Sequence, residues 1–163
     1  MRKTGIDLKE LPESIRRQAQ KKYYAEIGRE QRENILVLGK EECISADEGA
    51  EQELLFSWAA LNSGAHPELS KMHHIPNGGN RNSNEAAKLK RQGVLKGVPD
   101  IFLPCARGAY HGLYVELKAK GGKVSPEQEE FLHGVLGEGY MAAVCYGAAS
   151  AIELIRKYLR GEA

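Results

Sequence analysis

The chain has 163 residues, 42% hydrophobic and 28% charged, which suits one domain with a proper core and leaves no room for a second catalytic domain. It has no apolar run of about eighteen residues and no signal-peptide pattern, so a cytoplasmic protein without membrane contact is expected. Three widely spaced cysteines, Cys43, Cys105 and Cys145, suggest neither a disulfide framework nor a zinc cluster, and the formal net charge of +1 hides a strong gradient along the chain.

Residues 1–44 read as an N-terminal helical arm and connector. Over 1–38, Leu11, Ile15, Ala19, Tyr23 and Ile27 recur at helical spacing after Pro12, which predicts one or two helices. Gly39 to Ser45 breaks that pattern, and the core domain is expected over 45–163. Ser45 with Glu48 three places on reads as a capping box opening a helix over 46–62. On that helix Leu54, Leu55, Trp58 and Leu61 form the apolar stripe, with Glu51 near its edge and Glu53 nearly opposite. A carboxylate bordering a buried face is costly unless it meets a cation. Of the acids here, Glu51 therefore ranks first as the one that faces inward, with Glu48 in reserve and Asp47 and Glu53 below them. From Glu41 to Phe56 there are six acids and no Lys or Arg. Such a cluster fits a cation site, although the helix macrodipole accounts for an acidic helix start equally well.

A strand is predicted over 71–76. His73 and His74 within it would face opposite sides and share one ion poorly, so zinc is excluded and they read as structural or polyanion-side residues. The following Pro76-Asn77-Gly78-Gly79-Asn80-Arg81 is a turn by default. Its glycines would also let backbone N–H groups approach a phosphate, and Arg81 could pair with it bidentately. A short basic helix over 84–92 carries Lys88, Lys90 and Arg91, with Ala86, Ala87 and Leu89 to dock it, and Lys96 follows before the next turn. From Lys71 to Lys123, ten basic residues, Lys120 among them, stand against Glu85, Asp100 and Glu116, a local net of +7. A solvated basic face is the plain reading; an electrostatic footprint for phosphate is the functional one, and it makes Arg81, Lys88, Lys90, Arg91, Lys96 and Lys120 candidate DNA contacts.

Strands are predicted over 100–104 and 112–118. Gly97-Val98-Pro99-Asp100 opens the first, and Val115-Glu116-Leu117-Lys118 closes the second. Alternation puts Glu116 and Lys118 on one side, roughly 7 Å apart, with Val115 and Leu117 on the other. Pairing the strands would bring Asp100 beside Glu116 and offer a hard cation two oxygen ligands. Phosphodiester hydrolysis needs that grouping: the cation offsets charge on phosphoryl oxygens and acidifies a water, while a lysine orients it. Alone, Glu-x-Lys on a strand is commonly a surface ion pair; the apolar run around it and the preceding turn favour function. Ser125-Pro126-Glu127-Gln128 reads as a capped helix start, opening a helix over 126–136. A strand over 140–145 and a helix over 148–160 complete an α/β order.

Taken together, Ile75 to Arg81, Gly97 to Asp100, Val115 to Lys118 and Ser125 to Gln128 resemble the VRR-NUC family of the PD-(D/E)xK nuclease superfamily. More specifically, they resemble its short stand-alone phage and bacterial members, in order over roughly 45–160. The resemblance implies a restriction-endonuclease-like core, a mixed β-sheet flanked by helices, with the arm as an extension. It implies Mg²⁺- or Mn²⁺-dependent hydrolysis of DNA, branched or flapped, by a homodimer, in host cytoplasm if phage-encoded. The family expects one further acid on the first core helix, so Asp100 and Glu116 would hold the metal together with Glu51 (Glu48 in reserve), and Lys118 would serve catalysis beside them; Asn77, Gly78 and Gly79, and Gln128 besides its capping role, would border the site. Two other classes stay open: a non-catalytic or partner-activated DNA-binding module, and a restriction-type sequence-specific endonuclease, for which no base-reading insertion is visible.

Overall fold

The computed structural model of the chain describes residues 35–76 and 83–163. The predicted helices of the arm, together with Asn77, Gly78, Gly79 and Arg81, lie outside the described residues. The body that follows the arm is built on one five-stranded mixed sheet.

Strand β1 (Leu36–Leu38) runs parallel to the later strand of Met141–Tyr146, with Val37 opposite Val144. These three residues were expected to belong to the helical arm; a Leu-Val-Leu triplet is too short to show a period of its own. The turn after β1 depends on Gly39, whose φ is +72° and where a Cβ would come within 2.7 Å of the Tyr146 carbonyl oxygen. Helix α1 (Glu48–Asn62) follows. Its N-cap is Asp47, which accepts the Ala50 N–H at 3.0 Å, so Ser45 and Glu48 form no capping box. The buried row is Leu55 and Ala59, in line with Glu51 at a spacing of four, whereas Leu54 and Leu61 are 57% and 87% exposed. The expected stripe was therefore rotated, because four leucine and tryptophan positions outweighed the small Ala59 in the pattern.

A 3₁₀ turn over Pro67–Lys71 takes the first residue of the strand predicted over 71–76, and β2 is reduced to His73–His74. Helix α2 (Ser83–Arg91), β3 (Ile101–Leu103), β4 (Leu113–Lys118), α3 (Pro126–Gly137), β5 (Met141–Tyr146) and α4 (Gly147–Arg160) lie where the sequence periods place them. The sheet order is β1-β5-β4-β3-β2. β1, β5 and β4 are mutually parallel neighbours, while β3 and β2 are antiparallel additions.

One face of the sheet carries Ile101, Leu103, Leu113, Val115, Leu117, Ala143 and Cys145, packed with Leu55 and Ala59 of α1 and Ala151, Leu154, Ile155 and Tyr158 of α4. The other carries Ala142, Val144 and Tyr146 under Leu132 of α3. Tyr114, Glu116 and Lys118 alternate onto this second face. With helices on both sides, β4 is buried on both faces. The three cysteines are free thiols. Among the described residues no helix is long and apolar enough to cross a membrane.

Candidate active site

The β3–β4 register sets the site. Ile101 lies opposite Val115, so Asp100, one step before β3, stands across from Glu116. Asp100 is fixed by its backbone as well: its carbonyl oxygen accepts the Ile75 N–H at 2.7 Å and lies 2.9 Å from His74 Nδ1. Its carboxylate Oδ2 accepts the Leu117 N–H at 3.1 Å, which ties it to the strand that carries the other two groups.

Glu116 has no solvent-exposed surface. Its Oε1 is 2.5 Å from Lys118 Nζ and accepts a hydrogen bond from Gln128 Nε2. Its Oε2 is buried and meets no hydrogen-bond donor. Burial, then the charge of Asp100, and less strongly a side-chain hydrogen bond with Asp100, push the Glu116 carboxyl up from its ordinary 4.5 to about 8 against the opposing pull of Lys118. Lys118 is also buried, which works against its charge. The hydrogen bond and charge of Glu116, with Glu48 and Asp100 behind them, nevertheless hold the ammonium above its usual range, so Lys118 remains a cation.

Gln128 reaches Glu116 while serving as a helix cap. Its Oε1 accepts the Ser125 N–H at 2.8 Å and its own N–H goes to Ser125 Oγ at 3.2 Å, a complete capping box. The structural and the site-bordering readings of this residue thus coincide in one side chain. The start of α3 is positioned in turn by Gly97: its φ is +79°, and a Cβ there would come within 2.4 Å of the Glu127 backbone. The turn before Asp100 and the first turn of α3 are therefore in direct contact.

Helix α1 brings two acids, and they part company. Glu48 Oε2 lies 3.5 Å from Lys118 Nζ. Glu51 Oε2 instead accepts the Ala148 N–H at 2.6 Å, supplying the cap that α4 lacks from its own N-cap residue, Tyr146. Glu48 is consequently the acid of α1 that borders the site, and Glu51 is engaged elsewhere. Once Asp47 caps α1, Glu48 has no capping duty to hold it at the helix end. Among the described residues no three His, Cys, Asp or Glu side chains converge on one point.

Lys88, Lys90 and Arg91 on α2, and Lys96 and Lys120 beyond it, are all exposed. Ala87 is exposed too, so the docking face expected of α2 is reduced to half-buried Leu89 among the side chains described.

The donor set fits a hard divalent cation. A fully buried carboxylate oxygen without a hydrogen-bond donor, Glu116 Oε2, sits beside the Asp100 carboxylate, and an all-oxygen pair suits Mg²⁺ or Mn²⁺ better than a soft metal.

The family model for the VRR-NUC domain matches residues 44–149. A solved structure described as a VRR_NUC domain protein is similar to this chain with a TM-score of 0.62 and 34% sequence identity, covering 72% of this chain and 91% of that one. No curated protein matches the chain.

Proposed function

Because the chain belongs to the VRR-NUC domain family, a family of nucleases, we propose that it is a Mg²⁺- or Mn²⁺-dependent DNA endonuclease selective for branched or flapped substrates. The observation that carries the reading is the buried, donor-free Oε2 of Glu116 beside Asp100, with a protonated lysine on the other oxygen of the same carboxylate.

Asp100 and Glu116 would hold the cation. Bound there, it would offset charge on the phosphoryl oxygens and acidify a water. The rest falls to the chain. Gln128 and Lys118 occupy Glu116 Oε1, while Oε2 is buried without a donor. Lys118, held between Glu116 and Glu48, presents a fixed positive charge with which to orient an attacking water or steady the phosphoryl group. Glu48 replaces Glu51 as the third acidic contributor, acting through Lys118. The exposed cations of α2, with Lys96 and Lys120, supply phosphate attraction. A homodimer would present two such sites to two strands.

The test is cleavage of labelled four-way junction, flap, single-stranded and linear duplex DNA with Mg²⁺, Mn²⁺ or EDTA, with Glu116→Ala as control. Metal-dependent cutting of branched DNA, lost in the control, is expected. Binding without cutting under any metal would replace this reading with a DNA-binding module, and cutting at one short sequence in linear duplex would point to a restriction-type enzyme.

A further inference from the structure

The segment between α2 and Asp100 exposes two adjacent aliphatic side chains, Val94 at 41% and Leu95 at 59%. Single exposed apolar residues are ordinary on a protein surface. This pair is different in how it is held and in what surrounds it.

Helix α2 ends in a Schellman arrangement. Gly93 has φ +90°, its N–H goes to the Lys90 carbonyl at 3.2 Å, and the Val94 N–H goes to the Leu89 carbonyl at 3.0 Å. At the other end, Gly97 is seated against the Glu127 backbone. The pair is thus presented by a segment anchored on both sides, five and six residues ahead of Asp100.

Exposed cations flank the pair: Lys88, Lys90 and Arg91 before it and Lys96 after it. Lysine is depleted from protein–protein interfaces, so this surround argues against a protein occupant. An apolar tip between phosphate-seeking cations matches the chemistry of side chains that wedge against DNA bases. Leaving a valine and a leucine partly in water forgoes apolar burial, which contact with an unstacked base face would recover.

We propose that Val94 and Leu95 form an apolar wedge that inserts at a DNA branch point and unstacks the base pair there from its neighbour, while Lys88, Lys90, Arg91 and Lys96 grip the phosphates on either side. The inference rests on the nuclease reading and deepens it, since it names the feature of branched DNA that is recognised. A continuous duplex offers no open base face to such a tip, and a flap or junction does.

The experiment uses the full chain and a flap duplex carrying 2-aminopurine at the branch point, in EDTA so that no strand is cut. At saturating protein, checked by anisotropy, the fluorescence is expected to rise several-fold with the wild type and with Leu95→Met. It is expected to stay near the free-DNA level with Val94→Ser/Leu95→Ser. With Mg²⁺ or Mn²⁺, the same double variant should lose at least ten-fold in its preference for flap over linear duplex. Undiminished fluorescence and an unchanged preference in the double variant, with native circular dichroism, would overturn the wedge. So would a wild-type dimer, seen by sedimentation, that dissociates in the double variant while the flap signal persists, since the pair would then be a self-interface. A wild type that cuts no DNA defeats the nuclease reading, while the fluorescence in EDTA still decides the wedge.

Discussion

The side-chain amide of Gln128 joins the start of helix α3 to the carboxylate of Glu116: its oxygen accepts the Ser125 N–H at 2.8 Å, and its nitrogen donates to Glu116 Oε1. The cap thereby fixes which end of the amide faces the site, and a change at Gln128 can separate the two jobs. Glutamate also completes a capping box but cannot donate to a carboxylate. Gln128→Glu should keep the cap but set a second carboxylate against buried Glu116, costing about 1–3 kcal/mol at neutral pH, while kcat/KM on branched DNA per folded molecule falls roughly 10- to 100-fold, the usual scale for partners of metal ligands. Melting curves and steady-state cleavage, run side by side, check it; equal activity would remove Gln128 from the site.

Burial and Asp100 raise the Glu116 carboxyl to about 8, above its ordinary 4.5. A group whose pKa is higher folded than unfolded favours folding fully below the unfolded value and loses that contribution as pH climbs through the folded one. Stability of the metal-free protein should therefore decline between about pH 4.5 and pH 8, by a few kcal/mol at roughly 1.4 kcal/mol per pKa unit. Glu116→Gln should flatten the decline. Adding Mg²⁺ or Mn²⁺ at pH 8 should recover stability in the wild type but not in the variant. Thermal melts across pH, with and without metal, measure all three.

Glu48 and Glu51 should fail in different ways. Glu51→Gln keeps an oxygen for the Ala148 N–H but loses the charge at the start of α4, and Glu51→Ala loses both. The alanine variant should cost about 1–2 kcal/mol of stability, the scale of a lost helix cap. Glu48→Gln should leave stability within about 0.5 kcal/mol, because its partner contact is long and half-exposed, and lower cleavage instead. Urea titrations and cleavage assays of the pair decide the assignment; a Glu51→Gln variant as stable as wild type yet inactive would return Glu51 to the proposed metal site.

Gly97→Ala should damage both fold and site. The methyl group would meet the Glu127 backbone, which has no flexible end to move aside, and φ +79° is unfavourable for alanine. A loss of about 2–4 kcal/mol is expected, with cleavage reduced further than the folded fraction explains, since the same turn places Asp100. Comparing activity per folded molecule below the melting transition tests this.

Much of the site was legible because strand chemistry has a period of two. Glu116 and Lys118 share a face in any strand, and the apolar neighbours at Val115 and Leu117 mark the opposite face as buried. The turn of Gly97 to Asp100 leading into an apolar triplet likewise places Asp100 at a strand start. Helix α1 was harder. Its sequence holds six acids nearby and a broad apolar pattern, so a wheel could show that Glu51 faces inward but not what it would meet there. The Ala148 N–H that it meets belongs to a helix ninety-seven positions later in the chain.

Local periodicity in the sequence alone determined the α/β class, the helices and strands from residue 101 onward, and the pairing of Asp100 with Glu116 and Lys118, because these follow from alternation and helix signals within a few residues. Only the tertiary structure decided that Leu36–Leu38 joins the sheet, that Glu48 borders the site while Glu51 caps α4, and that Gln128 holds Glu116. Each of those depends on groups distant in the chain meeting at one point, and no local pattern encodes the meeting. The partner of a buried polar group is set by whichever donor the packed layers bring within about 3 Å of it.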